Sequence, residues 1–365
     1  MIAHEDQPAL VLHALGETPR IERVSISPPG RGEVLVRIMA SGVCHTDIGY
    51  VQYARTTPVV LGHEGAGVVA ALGEGVTHVA IGDHVAINWQ AKCGVCRNCV
   101  SGRRQFCEGV LGTSEPRVHL DGKPLAVMLN AGTFCPYAVV PASGAVPIRK
   151  DMPFAVAALL GCAVATGVGA AMFSARVQAG DDVVIIGCGG VGLNTLQGAR
   201  LANARVIVAV DRDPEKLALA ARLGATHVVD SAKEAVFDAV MQATDGRGAD
   251  HVFELVGRTD LMVEGLGLLA RGGRLTLVGA AGRQDEMTFK PRGFMSKQQT
   301  ICGCIYGDVQ PERDLPLLAD WYADGRLELD ALHTDTIELK DLPAMFEPGY
   351  RPHGIRTVVS LEGLA

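Results

Sequence analysis

Gly187-Cys188-Gly189-Gly190-Val191-Gly192 stands directly behind the apolar run Asp182-Val-Val-Ile-Ile and opens a helical stretch through Ala202. No other feature restricts the fold of this chain as strongly. A G-x-G-x-x-G turn between strand and helix uses its first glycine for the bend and its second to let backbone approach a pyrophosphate. Its third lets helix and strand pack closely, with the helix N-terminus facing the anion. Asp211 ends the next apolar run, Arg205-Val-Ile-Val-Ala-Val-Asp211, about 20 residues downstream, where an acid reads the adenosine ribose hydroxyls. Its charge repels a 2′-phosphate, so NAD(H) is favoured over NADP(H). Arg212 beside it leaves NADP use open, although a solvated surface charge is the commoner role of such an arginine.

A bare glycine motif is also met as an ordinary turn with a capping acid, and its surroundings decide its meaning. Here strand and helix signals keep alternating. A helix opened by Pro214 ends near Gly224, followed by Thr226–Asp230, a helix over Ala235–Ala243, His251–Val256, a helix to Ala270, Arg274–Val278 and Thr300–Tyr306. Six strands in this rhythm predict an α/β doubly wound parallel sheet. The residues up to about 150 read differently, as short β-type runs (Glu33–Met39, Gly67–Leu72, Asp83–Asn88, Tyr137–Val140) punctuated by Gly and Pro. A chain of 365 residues exceeds the usual single core, so two domains are expected. The expected division is 1–163 with 306–365, and 164–305.

A net charge of −7 without a Lys/Arg run argues against nucleic acid and anionic membranes as partners and leaves small molecules. No uninterrupted apolar segment reads as a convincing membrane span. The N-terminus lacks a basic region ahead of its apolar stretch, which His13 interrupts, so no secretory signal is expected. Ten cysteines in such a chain point to reduced thiols in the cytoplasm, held for metal binding or catalysis.

Cys93-Gly-Val-Cys96-Arg-Asn-Cys99, with Cys107, places four thiolates in one loop bent by Gly94 and Gly102. Four sulfur ligands satisfy tetrahedral Zn²⁺ and leave no open position, which makes a structural zinc the expectation. An iron–sulfur cluster uses the same ligands. A redox dithiol needs only two of them, and the surplus speaks against it. A second set is dispersed: Cys44 in Gly42-Val-Cys44-His45-Thr46-Asp47, His63 in Leu61-Gly62-His63-Glu64-Gly65, and Cys162 after Leu159-Leu-Gly161. Cys, His and Cys with a fourth position for water or substrate form a catalytic zinc shell. Each alone has a plainer reading, because cysteine is among the most buried residue types and a lone histidine is more often packed than ligating. Spacing leaves the two readings level. Cys135, Cys188, Cys302 and Cys304 lack partners by spacing and read as small buried hydrophobes.

In their order, Gly-Val-Cys44-His-Thr-Asp, Gly62-His63-Glu64-Gly-Ala-Gly, the four-cysteine loop, Gly161-Cys162, the Gly187 turn and Ile355-Arg356-Thr resemble the zinc-containing alcohol dehydrogenases of the medium-chain dehydrogenase/reductase superfamily. The resemblance extends over essentially the whole chain and leans to the class III-like and aryl-alcohol members. It implies a GroES-like β-rich catalytic domain, a Rossmann coenzyme domain and an active site in the cleft between them. It further implies that Cys44, His63 and Cys162 hold the catalytic zinc, that Glu64 can enter its shell transiently, and that Asp47 orients His63. Thr46 would remove the alcohol proton, His45 and Arg356 would contact the coenzyme pyrophosphate, and Thr166 would pack by the nicotinamide. The implied activity is reversible hydride transfer between a primary or aryl alcohol, or its aldehyde, and NAD(H) by a zinc alkoxide mechanism. Two zinc ions per chain and a homodimer go with it.

Departures from the family sharpen this. The relay histidine that the family carries five positions after the first zinc cysteine is replaced by Gly49, with Tyr50 the neighbouring hydroxyl. Arg117–Thr133 resembles the long loop of dimeric members, including glutathione-dependent formaldehyde dehydrogenases. The acid those enzymes carry before Gly-His-Glu is missing from Tyr50–Pro58, and their arginine after the fourth structural cysteine is missing from Glu108-Gly-Val-Leu-Gly112. Asn88-Trp89 is similar to mycothiol-linked and aryl-alcohol members. A free alcohol or aldehyde is therefore expected. The alternatives are an NADP(H)-preferring aldehyde or ketone reductase, a mycothiol-type formaldehyde dehydrogenase, and a zinc-stabilised nucleotide-binding protein without catalysis. Trp89, Met128, Phe134 and Tyr306 are candidates to line the pocket, with core packing as their commoner role.

Overall fold

A computed structural model describes residues 4–109, 115–350 and 354–364; of the stretch singled out above, 110–112 lies outside them. The chain divides into two compact units, Met1–Cys162 with Gln310–Ala365, and Ala163–Val309.

The first unit is built on β-strands. His4–Leu12, Arg20–Ile26, Val118–Leu120, Lys123–Val127 and Val59–Val60 close into a barrel. A second sheet runs in the order Ala145–Pro147, His84–Ile87, Glu64–Leu72, Glu33–Gly42, Arg356–Ser360, His333–Glu338, with Tyr137–Pro141 also paired to Glu33–Gly42. Glu33–Gly42 is buried along almost its whole length because side chains alternate across a strand. Val34, Val36 and Ile38 enter one apolar cluster and Leu35 the other. Full burial of such a side chain contributes about 1.5–3 kcal/mol. This strand and Glu64–Leu72 are thereby fixed, and the segments carrying Cys44 and His63 adjoin their paired ends, where Gly42 lies opposite Glu64.

The second unit contains the six-stranded sheet, all parallel, in the order His227–Asp230, Val206–Asp211, Asp182–Ile186, Ala249–Glu254, Leu269–Leu277, Thr300–Gly303. In chain order this is 3-2-1-4-5-6, the arrangement of dinucleotide-binding sheets. Asp182–Ile186 is buried throughout, as a strand covered on both faces must be. The helix Pro214–Leu223 begins and ends as its sequence indicates. Asp213 caps it by accepting from Glu215 and Lys216 N–H, Pro214 takes the first turn, and Gly224 leaves it at φ 116°.

Two expectations need correction. The last strand stops at Gly303, since Tyr306 and Gly307 take positive φ in a tight turn. The helical run Phe154–Ala175, 22 residues with a mean hydropathy of 2.0 in its apolar 18-residue window, is long and apolar enough to cross a membrane, and 83% of that window is buried inside the protein. Its small residues are apolar all round, as in any helix enclosed by other matter. Two π-helical turns interrupt it, Leu160–Val164 and Ala170–Ala175.

Candidate active site and coenzyme turn

Cys44 is the N-cap of the helix His45–Tyr53. Its sulfur accepts the Thr46 N–H at 3.4 Å, while Asp47, in the third helical position, accepts the Cys44 N–H at 2.8 Å. This is a capping box with sulfur in place of the usual hydroxyl. The other oxygen of Asp47 lies 2.9 Å from His63 Nδ1. One fully buried carboxylate therefore caps a helix and fixes the histidine ring, leaving Nε2 for a metal.

His63 sits between Gly62, at φ 95°, and the strand Glu64–Leu72. A Cβ on Gly62 would lie 2.5 Å from the Phe134 nitrogen, so the loop closes only on glycine. Thr133 donates its N–H to the Gly62 carbonyl, and its hydroxyl pairs with Ser41 at 2.7 Å. A Cβ on Gly42 would meet the Glu64 carboxylate, so this glycine leaves room for that side chain.

The donor atoms of Cys44, His63, Glu64 and Cys162 all lie within 4.8 Å of one another, on side chains exposed by 7, 1, 0 and 8%. The Cys162 hydrogen bond and the cations around Cys44 hold its thiol well below the ordinary value, while the same contact and burial push Cys162 well above it. Burial opposes protonation of His63, but the Asp47 carboxylate and Cys44 outweigh it and raise its pKa. Burial lifts Glu64 to about 7 against the pull of Arg356, which donates to Glu64 Oε1 at 3.0 Å and to the Val43 carbonyl. Glu64 Oε2 has no hydrogen-bond partner among the described residues. A buried set of two thiols, an imidazole and a half-satisfied carboxylate is costly by itself and fits a divalent cation with soft and borderline ligands. Zinc meets that description.

The four-cysteine loop is equally specific. Sulfur–sulfur separations are 3.5 Å for Cys93–Cys107 and 4.0 Å for Cys93–Cys99 and Cys96–Cys107. Tetrahedral Zn–S bonds of about 2.3 Å place sulfurs about 3.8 Å apart. All four lie within 4.8 Å of one another, which suits a single ion, whereas a cluster of several irons holds its thiolates farther apart. A Cβ on Gly109 would lie 2.3 Å from Cys93 Sγ, so backbone closes over the site. Backbone N–H groups of Cys99 and Glu108 bring Cys96 down to about 6, and burial takes Cys99 up to about 12.

In the second unit Gly187 has φ 100°, and a Cβ on Gly192 would lie 1.9 Å from the Gly187 carbonyl. Beside Gly189, the N-cap of the helix Gly190–Leu201, a Cβ would meet nothing within 4 Å. This is the open approach that a pyrophosphate needs over Gly190, Val191 and the helix N-terminus. Asp211 accepts from Cys188 N–H at 2.7 Å and from Arg212 and Asp213 N–H, tying the ribose-reading position to the glycine turn.

Among the remaining predicted residues, Thr46 and Thr166 are partly exposed and His45 is exposed. Arg356 is buried, with Glu64 and the Val43 carbonyl as its partners. Sequence reasoning did not find the Arg356–Glu64 ion pair, the Ser41–Thr133 link or the contact of Gly42 with Glu64; the glycine directly before Val-Cys44 was the only local signal. Met128, Phe134 and Tyr306 are core residues, exposed by 0, 0 and 2%, which corrects their candidacy as pocket walls. Trp89 is partly exposed, and its ring stands edge-on to His63, with centroids 6.5 Å apart at 88°. Cys135 and Cys188 are buried as expected, while Cys302 and Cys304 are partly exposed.

Comparison with known proteins agrees with this geometry. The family model described as alcohol dehydrogenase GroES-like domain matches residues 30–150, and that described as zinc-binding dehydrogenase matches residues 190–324. An S-(hydroxymethyl)glutathione dehydrogenase of Synechocystis sp. is 35% identical, over 96% of this chain and 98% of that protein. The one from Paracoccus denitrificans is 34% identical over the same shares. Among solved structures, an alcohol dehydrogenase zinc-binding domain protein from Burkholderia ambifaria has a TM-score of 0.91 at 32% identity, covering 98% of this chain and 99% of that one. Benzyl alcohol dehydrogenase from Acinetobacter calcoaceticus has a TM-score of 0.91 at 27% identity, covering 99% of each chain. With two zinc-fitting donor sets, a dinucleotide turn and these relatives, the chain belongs to the zinc-dependent alcohol dehydrogenases of the medium-chain dehydrogenase/reductase superfamily.

Proposed function

We propose that this enzyme oxidises a free primary alcohol of the aryl class to its aldehyde, reversibly, with NAD as acceptor. Trp89 carries the reading: its indole lies beside the ligand histidine, where it offers a flat apolar wall. The glutathione-linked relatives act, by their names, on a thiol adduct. Tyr50–Pro58 holds no acid to anchor such an adduct, and benzyl alcohol dehydrogenase is the better guide.

When bound, zinc supplies a Lewis acid for the alcohol oxygen and NAD supplies the hydride acceptor. Cys44, His63 and Cys162 would hold the metal, and the Glu64 carboxylate lies close enough to their donor atoms to join them. Asp47 keeps the proton of His63 on Nδ1. Thr46, two residues past Cys44, takes the alcohol proton; with Gly49 in place of a relay histidine, that proton leaves by water or another nearby hydroxyl. Gly187–Gly192 and Asp211 hold the coenzyme, and His45, Thr166, Arg212 and Arg356 complete its contacts. The free thiols suit a reducing, cytoplasmic compartment, and a homodimer is the assembly we infer from the family.

NADH formation across benzyl alcohol, long-chain alcohols, ethanol and S-(hydroxymethyl)glutathione tests the reading, with benzyl alcohol expected to give the highest kcat/KM. Preference for the adduct would contradict it. Trp89→Ala should raise KM for benzyl alcohol about tenfold with a smaller change for ethanol, since an aromatic contact contributes about 0.5–1.5 kcal/mol beyond its burial. Asp211→Ser should lower kcat/KM with NAD about tenfold and raise it with NADP, because the ribose contact and the repulsion of a 2′-phosphate both disappear. Unchanged coenzyme ratios would remove Asp211 from the site.

A further inference from the structure

Cys162 lies in the middle of the π-helical turn Leu160–Val164. Its neighbour Gly161 faces the strand His84–Ile87, where a Cβ on Gly161 would lie 2.3 Å from the Ile87 carbonyl oxygen. Real Cβ atoms do not come that close to backbone, and ordinary contact would require a retreat of about 1 Å. The strand cannot give way, because it pairs on both sides, Ala86 with Ala66 and Ile87 with Ala145. The Ile87 side chain also meets the histidine segment: a Cβ on Gly65, two residues past His63, would lie 3.1 Å from Ile87 Cγ1 and 2.6 Å from Thr133 Cγ2. Two glycines thus adjoin Ile87, one in each of two ligand-bearing segments.

We infer that Gly161 and Gly65 are positioning residues that set, through Ile87, the separation of Cys162 from His63 and so the affinity for the catalytic zinc. The π-turn aims the sulfur, and the absent side chains let the two elements approach. A metal site tolerates deviations of only about 0.2 Å in its bonds, well below the displacement a methyl group at 161 imposes. This rests on the zinc assignment proposed above.

The experiment is zinc analysis of Gly161→Ala after dialysis under conditions where the unaltered enzyme keeps two ions per chain, with NADH binding measured on the same samples. The expected result is one zinc per chain, at least tenfold weaker binding of the second, and unchanged NADH affinity. Two zincs held with unaltered affinity would overturn the inference, as would loss of both ions together with NADH binding, which would make Gly161 a packing residue of the whole fold. If Gly161→Ala does not fold, Gly65→Ala acts on Ile87 from the histidine-bearing segment, its added Cβ lying 2.6 Å from Thr133 Cγ2 and 3.1 Å from Ile87 Cγ1. It must weaken the same zinc, and two tightly held ions there would equally overturn the inference. An unaltered enzyme that holds a single zinc contradicts the functional reading instead.

Discussion

His63→Ala lowers kcat/KM for alcohol oxidation by at least about three orders of magnitude, because the Lewis acid it helps to hold is worth several kcal/mol and each 1.36 kcal/mol is tenfold. The variant should carry one zinc per chain and bind NADH as the unaltered enzyme does. Selectivity follows from the layout. His63, Cys44, Glu64 and Cys162 form one donor set and the loop cysteines another, while the coenzyme turn belongs to the other compact unit. Asp47 would lose its histidine but keep the Cys44 N–H, so the helix cap survives. Full activity, or loss of both zincs, would remove His63 from its assigned role.

Cys96→Ser should act through stability. Cys96 stands at the N-cap position of the helix Arg97–Val100 and is already biased to the thiolate by backbone N–H groups. Removing one of four ligands from a closed site forfeits binding energy that is folding energy for the loop. A loss of about 3 kcal/mol shifts Tm by roughly 6–12 °C for a cooperative unit of this size. Zinc should fall to one ion per chain, with alcohol oxidation retained at low temperature. An unchanged Tm with two zincs would contradict the structural assignment.

What could be read in advance was local. The glycine turn is legible because Gly187 and Gly192 are imposed by geometry that no side chain tolerates, and the cysteine loop because its ligands lie within fifteen positions of one another. Features that depend on distant segments were not legible. Arg356 meets Glu64 across 292 positions and Ser41 meets Thr133 across 92; nothing near any of them marks the partner. Arg356 carries no mark of the buried carboxylate it pairs with, because an arginine looks the same in sequence whether it faces an anion or a buried carboxylate. Phe134, Met128 and Tyr306 offered the same ambiguity between pocket and core. The helix Phe154–Ala175 escaped notice because its small apolar residues show no face, and its π-turns answer to packing at positions such as Gly161 rather than to propensity.

The most direct test of the central claim follows zinc content and benzyl alcohol-dependent NADH formation together while a chelator removes metal. Activity should fall in proportion to the loss of one zinc per chain and return when zinc is restored, with the loop zinc retained throughout. Undiminished activity in protein that has lost the zinc of Cys44, His63 and Cys162 would contradict the account.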